Sequence, residues 1–130
     1  MSGVELMLTF PATPAAVPLA RRVVGCLLRD HPRVRDAELV ASELVANALR
    51  NTTDGHDVRL LVGIEGDRVR IDVRDDGTAP TDRPAAVGEQ YWPGIVSLLA
   101  DGFGAVRRPE VGHRVHGELV EEGWRVLPVP

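Results

Sequence analysis

Val69, Ile71 and Val73 alternate strictly with Arg68, Arg70, Asp72 and Arg74. A period of two sends successive side chains to opposite faces, so this segment is a strand with one apolar and one wet face. Val58 to Ile64, just upstream, reads as a buried strand. Gly66-Asp67 between the two is a turn signal, and together the strands make a hairpin. The apolar face of such a hairpin needs a covering layer, and the flanking sequence offers helices for it.

Leu6, Leu8 and Phe10 alternate with Met7 and Thr9 as a first short strand. In the following TPAAVPLARRVVGCLLRDHP, Thr13 is a candidate cap and Pro14 suits a first turn. Pro18 lacks an amide donor, so regular helix is expected from about Val17, with Val17, Ala20, Val24 and Leu27 or Leu28 inward and Pro32 as the stop. A second helix is expected from Asp36 to Asn51, followed by the polar turn TTDGHD. From Asp75 to Pro93, Asp, Gly, Pro and Thr dominate and apolar periodicity disappears, as in a lid or binding loop. Ile95 to Ala100 is a short helix candidate opened by Pro93-Gly94. Ala105 to Arg107 and Val115 to Val120 read as strands, and Trp124 to Leu127 as a short edge. The order predicts an α+β fold, a two-layer sandwich: a mixed, mostly antiparallel sheet covered on one face by about three helices.

The chain has 130 residues, one domain's worth, and residues 1–130 are read as a single domain able to fold without disulfides or metal. A net charge of -4 argues against direct nucleic-acid binding. The longest uncharged stretch, Leu6 to Ala20, is broken by Pro11, Pro14 and Pro18, and the start MSGVELML lacks the basic residues of a secretory signal; neither a membrane partner nor export is expected. The lone Cys26 makes no internal disulfide, suits a reducing, cytoplasmic location, and is expected in the core. All 15 basic residues are arginine, which we read as a high-GC coding bias.

On the second helix Val40, Leu44, Ala37, Ala48 and Ala41 form an apolar arc. Glu43, Asn47 and Asn51 fall on one stripe bordering that arc, at i, i+4 and i+8. A carboxylate and an amide at the rim of a core need partners. One chemistry that supplies them is phosphoryl transfer: Asn47 offers an amide oxygen suited to Mg²⁺, and Glu43 can take or position a hydroxyl proton. The plain alternative is a solvated helix edge or a helix–loop hydrogen bond. The alternating strand ends in Asp75-Asp76-Gly77. A strand-end carboxylate can accept from an exocyclic amine, with glycine letting a flat ring approach the backbone; the alternative is an ordinary Asp-Gly turn, and Asp76 competes with Asp75 for any role. Gly94 at a helix start leaves amides that can hold phosphate, or simply enters a helix through a turn. No Gly-Lys-Ser/Thr loop occurs. His31, His56, His113 and His116 form no metal set; His113 and His116, three apart on a strand, face opposite ways.

Taken together, the order of these elements resembles the GHKL superfamily of ATPases and kinases, the histidine kinase-like ATPase domains of the Bergerat fold. More narrowly it resembles the small stand-alone anti-sigma factor serine/threonine kinases of high-GC bacteria. FPATPAAVPLARR is similar to their opening strand and helix, ELVASELVANALRNT to their N box, DRVRIDVRDDGTAP to their first glycine box, and IVSLLADGFGAVRR with GHRVHGEL to their closing helix and strands. The resemblance implies ATP and Mg²⁺ as cofactors, Glu43 as catalytic base, Asn47 as Mg²⁺ ligand, Asp75 on the adenine amino group, Gly77 under the base, and Gly94 near the phosphates at the end of an ATP lid spanning 78–93. It implies as partners a sigma factor and a STAS-type anti-anti-sigma protein phosphorylated on serine or threonine. Relatives also dimerise through the sheet's open edge, so a homodimer is among the expected partners.

The sequence departs from that pattern in places. Asn51 stands where His is frequent, Ala79 where a second glycine is usual, and His116-Gly117 where aromatics are usual. Of the second glycine box only Gly94 survives, off register, after the bulky Tyr91-Trp92-Pro93. Tyr91 and Trp92 are candidates either for partner contact or for packing the lid. Two functional readings follow. One is an ATP-dependent serine/threonine kinase that also sequesters a sigma factor. The other is a decayed member of the same fold that regulates a sigma factor or STAS-like partner by docking alone. A two-component histidine kinase would need a phosphoacceptor helix pair, and gyrase-like or chaperone-like members a transducer domain, for which the chain has no room.

Overall fold

The computed structural model describes residues 3–51, 56–75, 94–108 and 112–124. At its centre is the hairpin of β2 (Asp57–Glu65) and β3 (Arg68–Asp75), paired from Val58↔Asp75 to Glu65↔Arg68. Gly66 closes it with φ of 59°, the positive angle that a two-residue hairpin turn needs at its first central position. β1 (Gly3–Pro11) lies outside β2, and β5 (Gly112–Val120) lies between β3 and β4 (Gly102–Arg108). The order is β1-β2-β3-β5-β4, and each pairing is antiparallel. β1 and β4 are therefore the edges of the sheet.

Three helices cover one face. α1 (Ala16–Leu27) starts a residue before the expected Val17. Pro18 is its third residue, within the first turn, where backbone amides have no intrahelical acceptor and its missing donor costs nothing. Thr13 does not cap it: the N-cap is Ala15, without a side-chain bond, and the Thr13 carbonyl instead accepts from the Ala16 amide. Ala16, Ala20, Val24 and Leu28 recur every fourth residue and are buried. Cys26 is exposed rather than in the core, because two residues past Val24 is about 200° round the helix. α2 (Val34–Asn51) buries Ala37, Val40, Ala41, Leu44, Val45 and Ala48, the expected arc with Val45 added. α3 (Gly94–Leu99) buries Val96.

These faces meet in one core. Rows of side chains run across the covered face of the sheet: Val4, Ile64, Val69 and Leu119; Leu8, Leu60, Val73 and Val115; Phe10, Val58 and Asp75. In the row of Leu6, Val62 and Ile71, β5 contributes Gly117. A Cβ on Gly117 would meet Val40 Cγ1 at 2.9 Å and Val96 Cγ1 at 3.4 Å, so glycine is what lets α2 and α3 lie against this strand together. Trp124 forms no edge strand. It stands half-buried against the core with its ring 4.4 Å from that of His31, and residues 125–127 lie outside the described set.

The opposite face of the sheet carries no helix among the described residues, yet it is not uniformly wet. Asp72, expected in solvent with its neighbours, is wholly buried beneath arginine side chains. No described helix is long and apolar enough to cross a membrane.

Candidate functional site

Asp75 is the last residue of β3 and is 6% exposed. Its even register with Val69, Ile71 and Val73 turns it to the helix-covered face, where it shares a row with Val58 and Phe10. Among the described residues it is the one acid on that face of the central hairpin. Such a group is retained in an apolar layer only where donors satisfy it.

The helix above it brings the other polar groups. Glu43 and Asn47 are half-buried on α2, one turn apart, between the buried Val40, Leu44 and Ala48. The direction of α2 follows from its two ends. Arg33, just before it, donates to the Leu99 carbonyl and to Asp101, and the Asp101 amide bonds the Glu118 carbonyl opposite Arg70. At the other end Asn51 leads within a short connection to Asp57 and Val58, the latter paired with Asp75. α2 therefore runs from the Arg70 end of β3 toward the Asp75 end. Val40 sits over Gly117, which pairs with Ile71. Ile71 to Asp75 advances about 13 Å along the strand, or about nine helical residues beyond Val40. Nine residues beyond Val40 is Leu49, so Asn47 lies about 3 Å of helix rise, and Glu43 about 9 Å, short of the level of Asp75.

Gly94 opens α3 and is exposed; Ser97 Oγ donates to its carbonyl at 2.7 Å. A Cβ there would meet nothing within 4 Å, so packing among the described residues does not demand glycine. Gly77, Asp76, Ala79, the lid 78–93 and Tyr91, Trp92 and Pro93 lie outside the described residues, and so does the side chain of Asn51. No group of three or more His, Cys, Asp or Glu side chains placed to hold a metal ion occurs among the described residues.

Two features escaped sequence reasoning. Arg33 binds Asp36 Oδ2 at 3.0 Å and Asp101 Oδ2 at 2.9 Å as well as the last turn of α3, so one guanidinium ties α2 to the α3–β4 corner. The amide of Val120, together with Arg33, holds the Asp101 carboxyl below its ordinary value. Asp36 three residues on was a visible partner; Asp101, 68 positions later, was not. The second is Ser42, buried between the helices, which donates to the Glu38 carbonyl at 2.7 Å and accepts from Arg21 Nε at 3.0 Å.

The donor set fits an adenine nucleotide with a hard cation. An acid buried in an apolar layer suits an exocyclic amine on a flat ring, and the amide oxygen of Asn47 is a hard ligand that suits Mg²⁺. The fold and this arrangement define the class: a helix-covered antiparallel sandwich of the nucleotide-binding kind. The family model for histidine kinase-like ATPase domains matches residues 10–112, and the chain belongs to that family. Membership implies ATP binding. A search of curated proteins found no match.

Proposed function

We propose that the chain is an ATP-dependent regulator that phosphorylates a serine or threonine hydroxyl on a STAS-type partner and sequesters a sigma factor. The observation that carries this reading is Asp75, an acid held on the apolar, helix-covered face of the hairpin, with Glu43 and Asn47 on the helix above. The Asp75 carboxylate would accept from the adenine amine, with Gly77 beneath the ring. The Asn47 amide oxygen would hold Mg²⁺, and Gly94 would stand near the phosphates. The Glu43 carboxylate would orient the acceptor hydroxyl and take its proton. When bound, Mg-ATP supplies the phosphoryl group and the metal charge that offsets its oxygens. The remaining work is positioning, which would fall to α2 and β3, the elements that carry Glu43, Asn47 and Asp75.

Magnesium and ATP together should raise the melting temperature, and Asn47→Ala should abolish the rise. No rise at millimolar nucleotide would overturn the reading. Glu43→Ala should lower transfer to a STAS partner by at least about a hundredfold while ATP affinity changes less than about threefold. Equal loss of both would remove Glu43 from the base role.

A second reading, docking without phosphorylation, draws on Ala79 and the depleted second glycine box. It expects partner binding that is indifferent to nucleotide, which a pull-down with and without Mg-ATP distinguishes.

A further inference from the structure

The sheet face turned away from the helices carries a charge pattern that nucleotide chemistry does not use. Arg70, Asp72 and Arg74 of β3 lie on it, opposite Glu118, His116 and Arg114 of β5. Arg114 Nε donates to Asp72 Oδ2 at 2.6 Å. Arg70 Nε and Arg74 Nε stand 3.7 and 3.9 Å from Asp72 oxygens, beyond hydrogen-bond reach. Three guanidinium groups thus share one buried carboxylate, and Arg70 has a further contact to Glu118 at 3.3 Å. The Nε atoms of Arg70 and Arg74 are buried without a hydrogen bond, while the two side chains as a whole remain part exposed at 37% and 41%. The patch is locally positive in a chain of net charge -4. Beside it on the same face is an apolar step. Met7 is 58% exposed and pairs with the half-buried Leu61, which in turn pairs with Asp72. Next along β2, Gly63 leaves the surface flat: a Cβ there would meet nothing within 4 Å.

We propose that this face docks an acidic amphipathic helix of a protein partner, with carboxylates on Arg74 and Arg114 and apolar side chains on Met7 and Leu61. A guanidinium fork matches a carboxylate in plane, which favours this pairing over a diffuse one. Arg74 and Arg114 face each other across neighbouring strands about 4.8 Å apart, and i,i+4 side chains on a helix stand about 6 Å apart, so a helix crossing the strands presents a pair of acids at the spacing of these two arginines. Polyphosphate fits less well. It offers no apolar group to cover the exposed Met7 and the adjoining Leu61. The face lies across the sheet from Glu43 and Asp75, so the proposal stands apart from the nucleotide reading.

The test titrates the full chain, by fluorescence anisotropy, with a synthetic amphipathic helical peptide bearing glutamates on one side and leucines on the other. A single-stranded oligonucleotide of comparable length is the counter-probe. The peptide should bind, and the oligonucleotide about tenfold more weakly or not at all. Gly63→Glu adds a negative charge where there is room, and Arg74→Ser removes a positive one without touching the Asp72 hydrogen bond. Each should weaken the peptide about tenfold and leave the Mg-ATP melting shift intact. If Arg74→Ser fails to fold, Gly63→Glu carries the test. Peptide binding unchanged by Gly63→Glu, or an oligonucleotide that binds more tightly than the peptide, would overturn the proposal. A dimer in sedimentation that Gly63→Glu converts to monomer would also overturn it, by giving the face to a second copy of the chain.

Discussion

Asp72 is fully buried on a sheet face that carries no helix among the described residues, with three arginine side chains against its carboxyl group. The arginine side chains are themselves part exposed, so solvent screens each pair, and Arg114 alone makes a hydrogen bond to the carboxylate. Asp72→Ala removes the shared counter-charge and brings Arg70, Arg74 and Arg114 into mutual repulsion. Urea denaturation should show a loss of about 2 kcal/mol. A loss below about 0.5 kcal/mol would mean that the arginines simply turn to water. The residue pattern Arg-Val-Arg-Ile-Asp-Val-Arg showed which face Asp72 occupies. It did not show the burial, because the decisive partner, Arg114, comes 42 positions later on another strand. Glu43, Asn47 and Asp75 were legible as candidates for the opposite reason. Each is a polar residue breaking an apolar period, and a period is a local property.

At the scale of elements, the sandwich is held open to the correct width by small residues where helices cross strands. Gly117 is the clearest case, with Val40 and Val96 both against the position a side chain would take. Gly117→Val would push α2 and α3 off β5. The overpacking should cost about 1–3 kcal/mol in thermal or urea unfolding. It should also weaken ATP, because α2 carries Glu43 and Asn47, whereas a stability loss with unchanged ATP affinity would uncouple that crossing from the site. The elements themselves were largely legible: α2, the central hairpin and the buried stripe of α1 all follow from periodicity. Their ends were less so. β4 runs from Gly102 and β5 from Gly112, well before the apolar stretches that announced them, because pairing with neighbouring strands extends a strand through residues with no β preference of their own.

Taken whole, the molecule should be least stable in acid. His31 is 2% exposed, and its Nδ1 accepts from the Arg33 amide at 2.9 Å, which leaves the ring proton on Nε2 beside Trp124. Burial holds its pKa below the ordinary 6.5, with Arg33 adding to the effect and Glu121 opposing it. His116 is lowered in the same way, by burial first and then by Arg70. As pH falls through 6.5 the unfolded chain takes up these protons while the folded chain resists them, so stability decreases with acidification. The melting temperature should therefore fall between about pH 7 and pH 5 from this contribution, and His31→Gln should flatten the slope. A slope identical in the variant would show that His31 takes no part.

The fold class and the three polar candidates were determined by the sequence alone, since alternation, helical period and turn chemistry act over a few neighbouring residues. Tertiary structure alone decided which residues meet. The Arg33 contacts direct α2 toward the Asp75 end of β3, and the pairing of β3 with β5 gathers arginines around Asp72. The same packing turns Cys26 outward and draws His31 under Trp124. Such contacts join residues distant along the chain, so no local pattern records them; they exist only once the core has closed.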